Sequence, residues 1–167
     1  MLLNHEQVLQ YLPHRDPFLF IDTVEEVIVP DAIKGKEVNN PRELVGTKVI
    51  AHFEVRENLD VLKGHFPGNP ILPGVVLIEL MAQASAFVSL PLSNLDIKGL
   101  NVETLLVSVE KAKFRKPILP GMKLEIHTLM TKCRGTLAYY SSEVFCEGEK
   151  TSECEFLAML TIKNTKE

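Results

Sequence analysis

The run Val75-Val76-Leu77-Ile78-Glu79-Leu80-Met81-Ala82-Gln83-Ala84-Ser85-Ala86-Phe87-Val88-Ser89-Leu90 decides how the chain folds. It has no Gly or Pro, carries Glu79 as its one charge, and would span about 24 Å as a helix at 1.5 Å per residue. A helix that is apolar almost all round has to be surrounded by protein. The flanks supply the surroundings. Beyond residue 99 the pattern is β throughout: Val102 to Phe114, Met122 to Lys132, Thr136 to Cys146 and Ser152 to Ile162. Pro120-Gly121, Arg134-Gly135 and Glu147-Gly148 break these runs at hairpin spacing. Upstream, Phe18 to Val24 leading into Val27-Ile28-Val29 reads as a strand, Ala32 to Val38 as its return across Pro30-Asp31, and Gly46 to Val55 as another strand. Asn4 with Gln7 makes a capping box, which sets a short helix from His5 to about Leu12. The expected class is α+β: a curved antiparallel β-sheet wrapped around one long buried helix, with a short N-terminal helix.

Composition bounds the rest. A chain of 167 residues with 46% hydrophobic and 24% charged residues fits one domain, 1–167, and no second. It is long enough to bury a core without disulfides or structural metals. Lys and Arg (18) are outnumbered by Asp and Glu (22), giving a net charge of −4 spread along the chain. That speaks against nucleic acid as a partner, because phosphate binding needs a basic field. Ile71 to Leu92 is the most apolar stretch, but Glu79 and Gln83 interrupt it between Pro73 and Pro91, so no membrane span is expected. Cys133, Cys146 and Cys154 form no CxxC pair and fit a reducing compartment. With no secretory signal at the start, the protein is expected to be cytoplasmic.

The chemistry is concentrated in Gly64-His65-Phe66-Pro67-Gly68-Asn69-Pro70-Ile71-Leu72-Pro73-Gly74. Three of the nine Gly and three of the ten Pro fall here, fixing a loop that feeds the N-terminus of the apolar helix. His65 sits in that loop. Glu79 sits one turn into the helix among apolar neighbours, where loss of water should raise its pKa toward a neutral, proton-donating form. A His base and a proton-donating Glu facing one cavity could remove a C–H proton beside a carbonyl and protonate a leaving hydroxyl. The helix N-terminus near Gly74 would stabilise the developing oxyanion. The plainer alternatives are a loop histidine that caps the backbone, and a glutamate satisfied by Gln83 at i+4 or facing a wet subunit boundary.

Three ordered segments, Leu12-Pro13-His14-Arg15-Asp16-Pro17-Phe18-Leu19, the Gly64 to Gly74 loop, and Ile78-Glu79-Leu80-Met81-Ala82-Gln83, resemble the β-hydroxyacyl-acyl carrier protein dehydratases of type II fatty acid synthesis. Ala112-Lys113-Phe114-Arg115-Lys116-Pro117 resembles the same family. The resemblance implies a hotdog fold, with His65 as catalytic base, Glu79 as catalytic acid, and the Gly74 N–H polarising the thioester carbonyl. It also implies substrate contacts at Phe66, Pro73 and Gln83. The implied reaction is reversible loss of water from a (3R)-3-hydroxyacyl chain to a trans-2-enoyl chain. No metal or bound cofactor is implied, the substrate riding on the phosphopantetheine of acyl carrier protein. Each site would take its His and Glu from different subunits of a homodimer, or of a trimer of dimers. A glutamate at position 79, where the isomerising sister group carries Asp, favours dehydration alone. Asp16 and the Leu59 to Lys63 approach depart from the family pattern, and Gly35 to Lys48 is longer.

Other residues have plainer readings. His14-Arg15 could touch an acidic carrier, or Arg15 could anchor the turn between Pro13 and Pro17. Lys111, Lys113, Arg115 and Lys116 could dock the same carrier, or keep a strand edge solvated. His52 and His127 read as surface or pairing residues. Competing functions are a hotdog acyl thioesterase and a non-catalytic acyl-carrier-binding module.

Overall fold

Helix α1 (His5–Tyr11) starts behind Asn4, whose side chain accepts from the Gln7 N–H while the Gln7 side chain accepts from the Asn4 N–H. Two orphan donors of the first turn are thereby satisfied, as the sequence predicts. Strand β1 (Thr23–Ile28) follows, then β2 (Lys48–Glu54), a short helix α2 (Asp60–Gly64) and the central helix α3 (Gly74–Ala86). Four long strands complete the chain: β3 (Leu100–Phe114), β4 (Lys123–Arg134), β5 (Leu137–Cys146) and β6 (Glu149–Asn164). The computed structural model describes residues 1–93, 97 and 100–164.

All strand pairs are antiparallel, in the order β1-β2-β4-β5-β6-β3. Four of the five pairings contain a register shift. Each unmatched residue bends its strand and adds twist, which gives the sheet the curvature to wrap a helix. Alternate residues point inward: Val49, Ala51 and Phe53 on β2, Leu124, Ile126 and Met130 on β4, and Tyr140 and Val144 on β5 are all buried. They meet Val76, Leu77, Leu80, Met81 and Ala84 of α3, buried in turn. Helix and sheet thus cover each other's apolar faces, the main source of stability in a fold of this kind.

The α-helical part of the apolar run is shorter than expected, because Pro91 cannot follow an α-helical turn without meeting the carbonyl of Phe87. Phe87–Ser93 tightens into a 3-10 helix instead. By length and composition Gly74–Ser93 could cross a membrane, with mean hydropathy 1.8, yet 72% of it is buried inside the protein. Burial by its own sheet, and not the interruptions at Glu79 and Gln83, makes it a core helix.

Two expected strands are corrected. Phe18 to Asp22 lies outside β1, because the Phe20 N–H donates to the Gln83 side chain and not to a neighbouring strand. Ala32 to Val38 does not pair back; Asp31–Ile33 forms a 3-10 turn that buries Ile33, and Val38 enters the core from the irregular backbone after it. In the long connection to β2, Asn40 caps another 3-10 turn, Pro41–Leu44, with Leu44 fully buried. The sequence reading also lacked α2, whose start at Leu59 has no side-chain cap to signal it.

Candidate active site

The loop between α2 and α3 is closed by its own backbone. The Ile71 N–H donates to the His65 carbonyl (2.8 Å), and Phe66 and Asn69 exchange N–H to C=O bonds at 3.1 and 2.9 Å across Gly68. Gly68 has φ +75°, a left-handed conformation that favours glycine. The Leu72 N–H donates to the Ile118 carbonyl (2.8 Å), tying the loop to the β3–β4 connection. His65 is half-buried, and its ring stacks on Phe66 with centroids 4.0 Å apart. Its Nδ1 lies 2.9 Å from the Ile71 carbonyl oxygen. A carbonyl only accepts, so Nδ1 carries a proton, and in the neutral ring Nε2 keeps the free lone pair that a general base needs.

Gly74 opens α3 behind Pro73. As the first helical residue its N–H has no partner within the helix, and the helix dipole adds positive potential there. A Cβ on Gly74 would lie 3.0 Å from the Phe114 ring, so the close approach of β3 to the helix start depends on this glycine.

Glu79 lines a cavity of about 380 Å³ together with His14, Phe18, Ala82, Gln83, Thr104 and Leu106. Its side chain is 24% exposed. The Gln83 amide is used completely: Oε1 accepts from the Phe20 N–H (2.9 Å), and Nε2 donates to the Phe18 carbonyl (2.9 Å) and to Glu79 Oε1 (2.8 Å). His14 Nε2 lies 3.4 Å from the same Oε1. Loss of water would raise the Glu79 pKa, but hydrogen bonding from His14 and Gln83 and the charge interaction with His14 outweigh it. The net direction is downward, which corrects the expectation of a carboxyl made neutral by burial. Among the plainer alternatives, the i+4 bond from Gln83 is present.

Of the residues singled out in the sequence, Glu79 and Gln83 share this cavity. His65, Phe66, Pro73 and Gly74 are not among its lining residues within one chain. His14 was read only as a carrier contact; its place beside the acid was missed, although it lies in one of the three segments that carry the family resemblance. Arg15 does anchor its turn, donating to the Leu12 and His14 carbonyls at 2.8 and 2.6 Å. The four basic residues near the end of β3 are all paired: Lys111 with Glu155, Lys113 and Arg115 with Glu153, and Lys116 with Glu149. They form a cross-strand ladder with glutamates of β6 and not a free cationic field. His52 and His127 pair with Glu25 and Glu125. Met81 and Phe87 are core residues outside the cavity. The three cysteines are free, and burial pushes the Cys154 thiol up to about 12.

Fold and site together define a hotdog protein whose central helix carries an acid into a cavity bounded by an edge strand. Among solved structures, the dehydratase heterocomplex ApeI:P from Xenorhabdus doucetiae matches with TM-score 0.67 at 20% identity, over 92% of this chain and 90% of that one. A thioesterase superfamily member from Thermus thermophilus matches with TM-score 0.56 at 21% identity, over 70% and 82%. At such identities the likeness is one of fold. Sequence likeness is narrower. The family described as ApeI-like, ApeI dehydratase, matches residues 42–153. The 3-hydroxyacyl-[acyl-carrier-protein] dehydratase FabZ of Erythrobacter litoralis is 36% identical over 93% of this chain and 91% of its own length. That of Aliarcobacter butzleri is 31% identical over 97% of this chain and its whole length. The chain belongs to this family of hotdog dehydratases.

Proposed function

We propose that the protein removes water from (3R)-3-hydroxyacyl chains carried on acyl carrier protein, giving trans-2-enoyl chains in fatty acid biosynthesis. His65 Nε2 takes the proton next to the thioester carbonyl, the Gly74 N–H holds the enolate oxygen, and Glu79 protonates the departing hydroxyl. The observation that carries the reading is the His65 tautomer fixed by Ile71, facing the need for a base, in a chain that also holds a cavity-lining carboxyl. Phe66, half exposed beside the base, and Pro73, which sets the helix start, are read as walls of the acyl path. Gln83 acts by holding the acid. At rest Glu79 is ionised; it takes up its proton when substrate covers the cavity and removes the remaining water.

The reading uses two copies of the chain. Supporting this are the absence of His65 from the Glu79 cavity within one chain, and the exposed apolar row on the edge strand β3 next to that cavity. A second copy laid along β3 would bring its own loop to the cavity. The site then needs no metal and no bound cofactor, since the acyl group arrives on the carrier's phosphopantetheine. A cytoplasmic location follows from the carrier it would work with.

Hydration of a crotonyl thioester tests the assignment. His65→Ala and Glu79→Gln should each lower the rate by roughly 100- to 10,000-fold. Mixing the two dead variants and letting them exchange subunits should return about a quarter of wild-type activity, because half the dimers are mixed and each has one intact site of two. No recovery would put both residues in one chain. Release of free thiol would identify a thioesterase instead, and tight acyl-carrier binding without turnover a binding module.

A further inference from the structure

The His14 ring presents its two nitrogens to very different surroundings. Nε2 faces Glu79 Oε1 at 3.4 Å, while Nδ1 is buried with no hydrogen-bond partner. A buried N–H without an acceptor costs more than an unused lone pair. The proton of the neutral ring therefore belongs on Nε2, where it has the carboxylate to donate to. With that hydrogen on Nε2, the ring presents a donor to the carboxylate whatever the state of Nδ1.

Gln83 leaves no alternative on its side. Its carbonyl oxygen turns to the Phe20 N–H, and the amide nitrogen faces Glu79, so toward the carboxylate it is a donor. A hydrogen-bond donor from α3 at 2.8 Å and, at the longer 3.4 Å, a ring nitrogen from the segment after α1 thus face Oε1. The other groups nearby do not compete: Arg15 turns to the Leu12 and His14 carbonyls, and Glu103, which lines the same cavity from β3, is an acceptor when ionised.

We propose that His14 is a positioning residue for the acid: with Gln83 it keeps Glu79 Oε1 as a permanent acceptor, so that Oε2 is the oxygen that bears and surrenders the catalytic proton. This rests on the dehydratase reading and deepens it. In the step, the O–H bond at Oε2 breaks, the substrate C–O bond breaks, and the hydroxyl leaves as water. The electron pair of the α-C–H bond forms the new double bond, and that proton stays on His65 Nε2 until it returns to solvent. The lowered pKa of Glu79 agrees with two donors on one oxygen.

The test is the titration of the Glu79 carboxyl carbon by NMR, with Glu79→Gln used to assign the resonance. His14→Phe keeps a ring but removes the donor, and should move the midpoint up toward the ordinary carboxylate range. His14→Gln restores an N–H at similar reach and should return the midpoint to the wild-type position. An unchanged midpoint in the Phe variant, or a Gln variant displaced as far as Phe, would overturn the proposal. The readout needs no turnover, so it stands or falls separately from the crotonyl assay.

Discussion

At one edge of the sheet β1 is six residues long, with a bulge between Val24 and Glu26 and two outward glutamates. Leu3 bridges to Val24, and α1 packs beside it. At the other edge β3 runs for 15 residues, and Leu105 and Val107 are 56% and 53% exposed, with Leu106, Val109 and Phe114 also open. Both edges carry register shifts, β3 at Leu106/Ser108 and at Glu110/Lys113, but a short, charged and covered edge is how proteins prevent strand addition, whereas a long apolar one invites it. The chain has closed one edge itself and left the other open. Thr104, Leu105 and Leu106 on the open edge also wall the Glu79 cavity, so the open edge and the cavity adjoin.

Substitutions can break that contrast. The largest effect is expected from Val107→Arg, which places a charge at the centre of the open edge. An unpaired charge buried against a second copy costs about 3–5 kcal/mol, or roughly two to four powers of ten in dimer affinity. Sedimentation should show a folded monomer, with crotonyl hydration lost alongside; a surviving dimer would mean that β3 is not the contact. At the closed edge, Leu3→Ala should cost about 2–5 kcal/mol, visible as a lower Tm, while the oligomer is kept. A change of oligomeric state there would erase the distinction between the edges. The smallest effect concerns the cavity wall. Glu79 has a lowered folded pKa, so its ionised form adds stability above the ordinary carboxylate value, and that contribution is lost as pH falls through the folded one. As pH falls through and below the ordinary carboxylate range, the Tm of the wild type should therefore fall more steeply than that of Glu79→Gln.

Much of this was legible in the sequence for physical reasons. The Val75 to Leu90 run has no polar face, and only enclosure satisfies such a segment; the late strands are long, alternating and separated by glycine turns. The Asn4 box depends on four neighbouring residues and is visible without tertiary structure. Phe18 to Asp22 misled because an apolar run reads as a strand whatever its backbone bonds to, and here the partner, Gln83, is 63 residues away in sequence. The pKa direction of Glu79 failed for the same reason. Local composition announces the cost of burial but not the donors: one of them, His14, comes from a distant segment, and together with Gln83 it decides the sign.

The contact between Gly74 and the Phe114 ring has an evolutionary consequence. The donor at the helix start and the end of the open strand meet as a small residue against a large one, with an added Cβ coming within 3.0 Å of the ring. A larger residue at position 74 would press on the Phe114 ring, so changes at the two positions should tend to come as a linked pair.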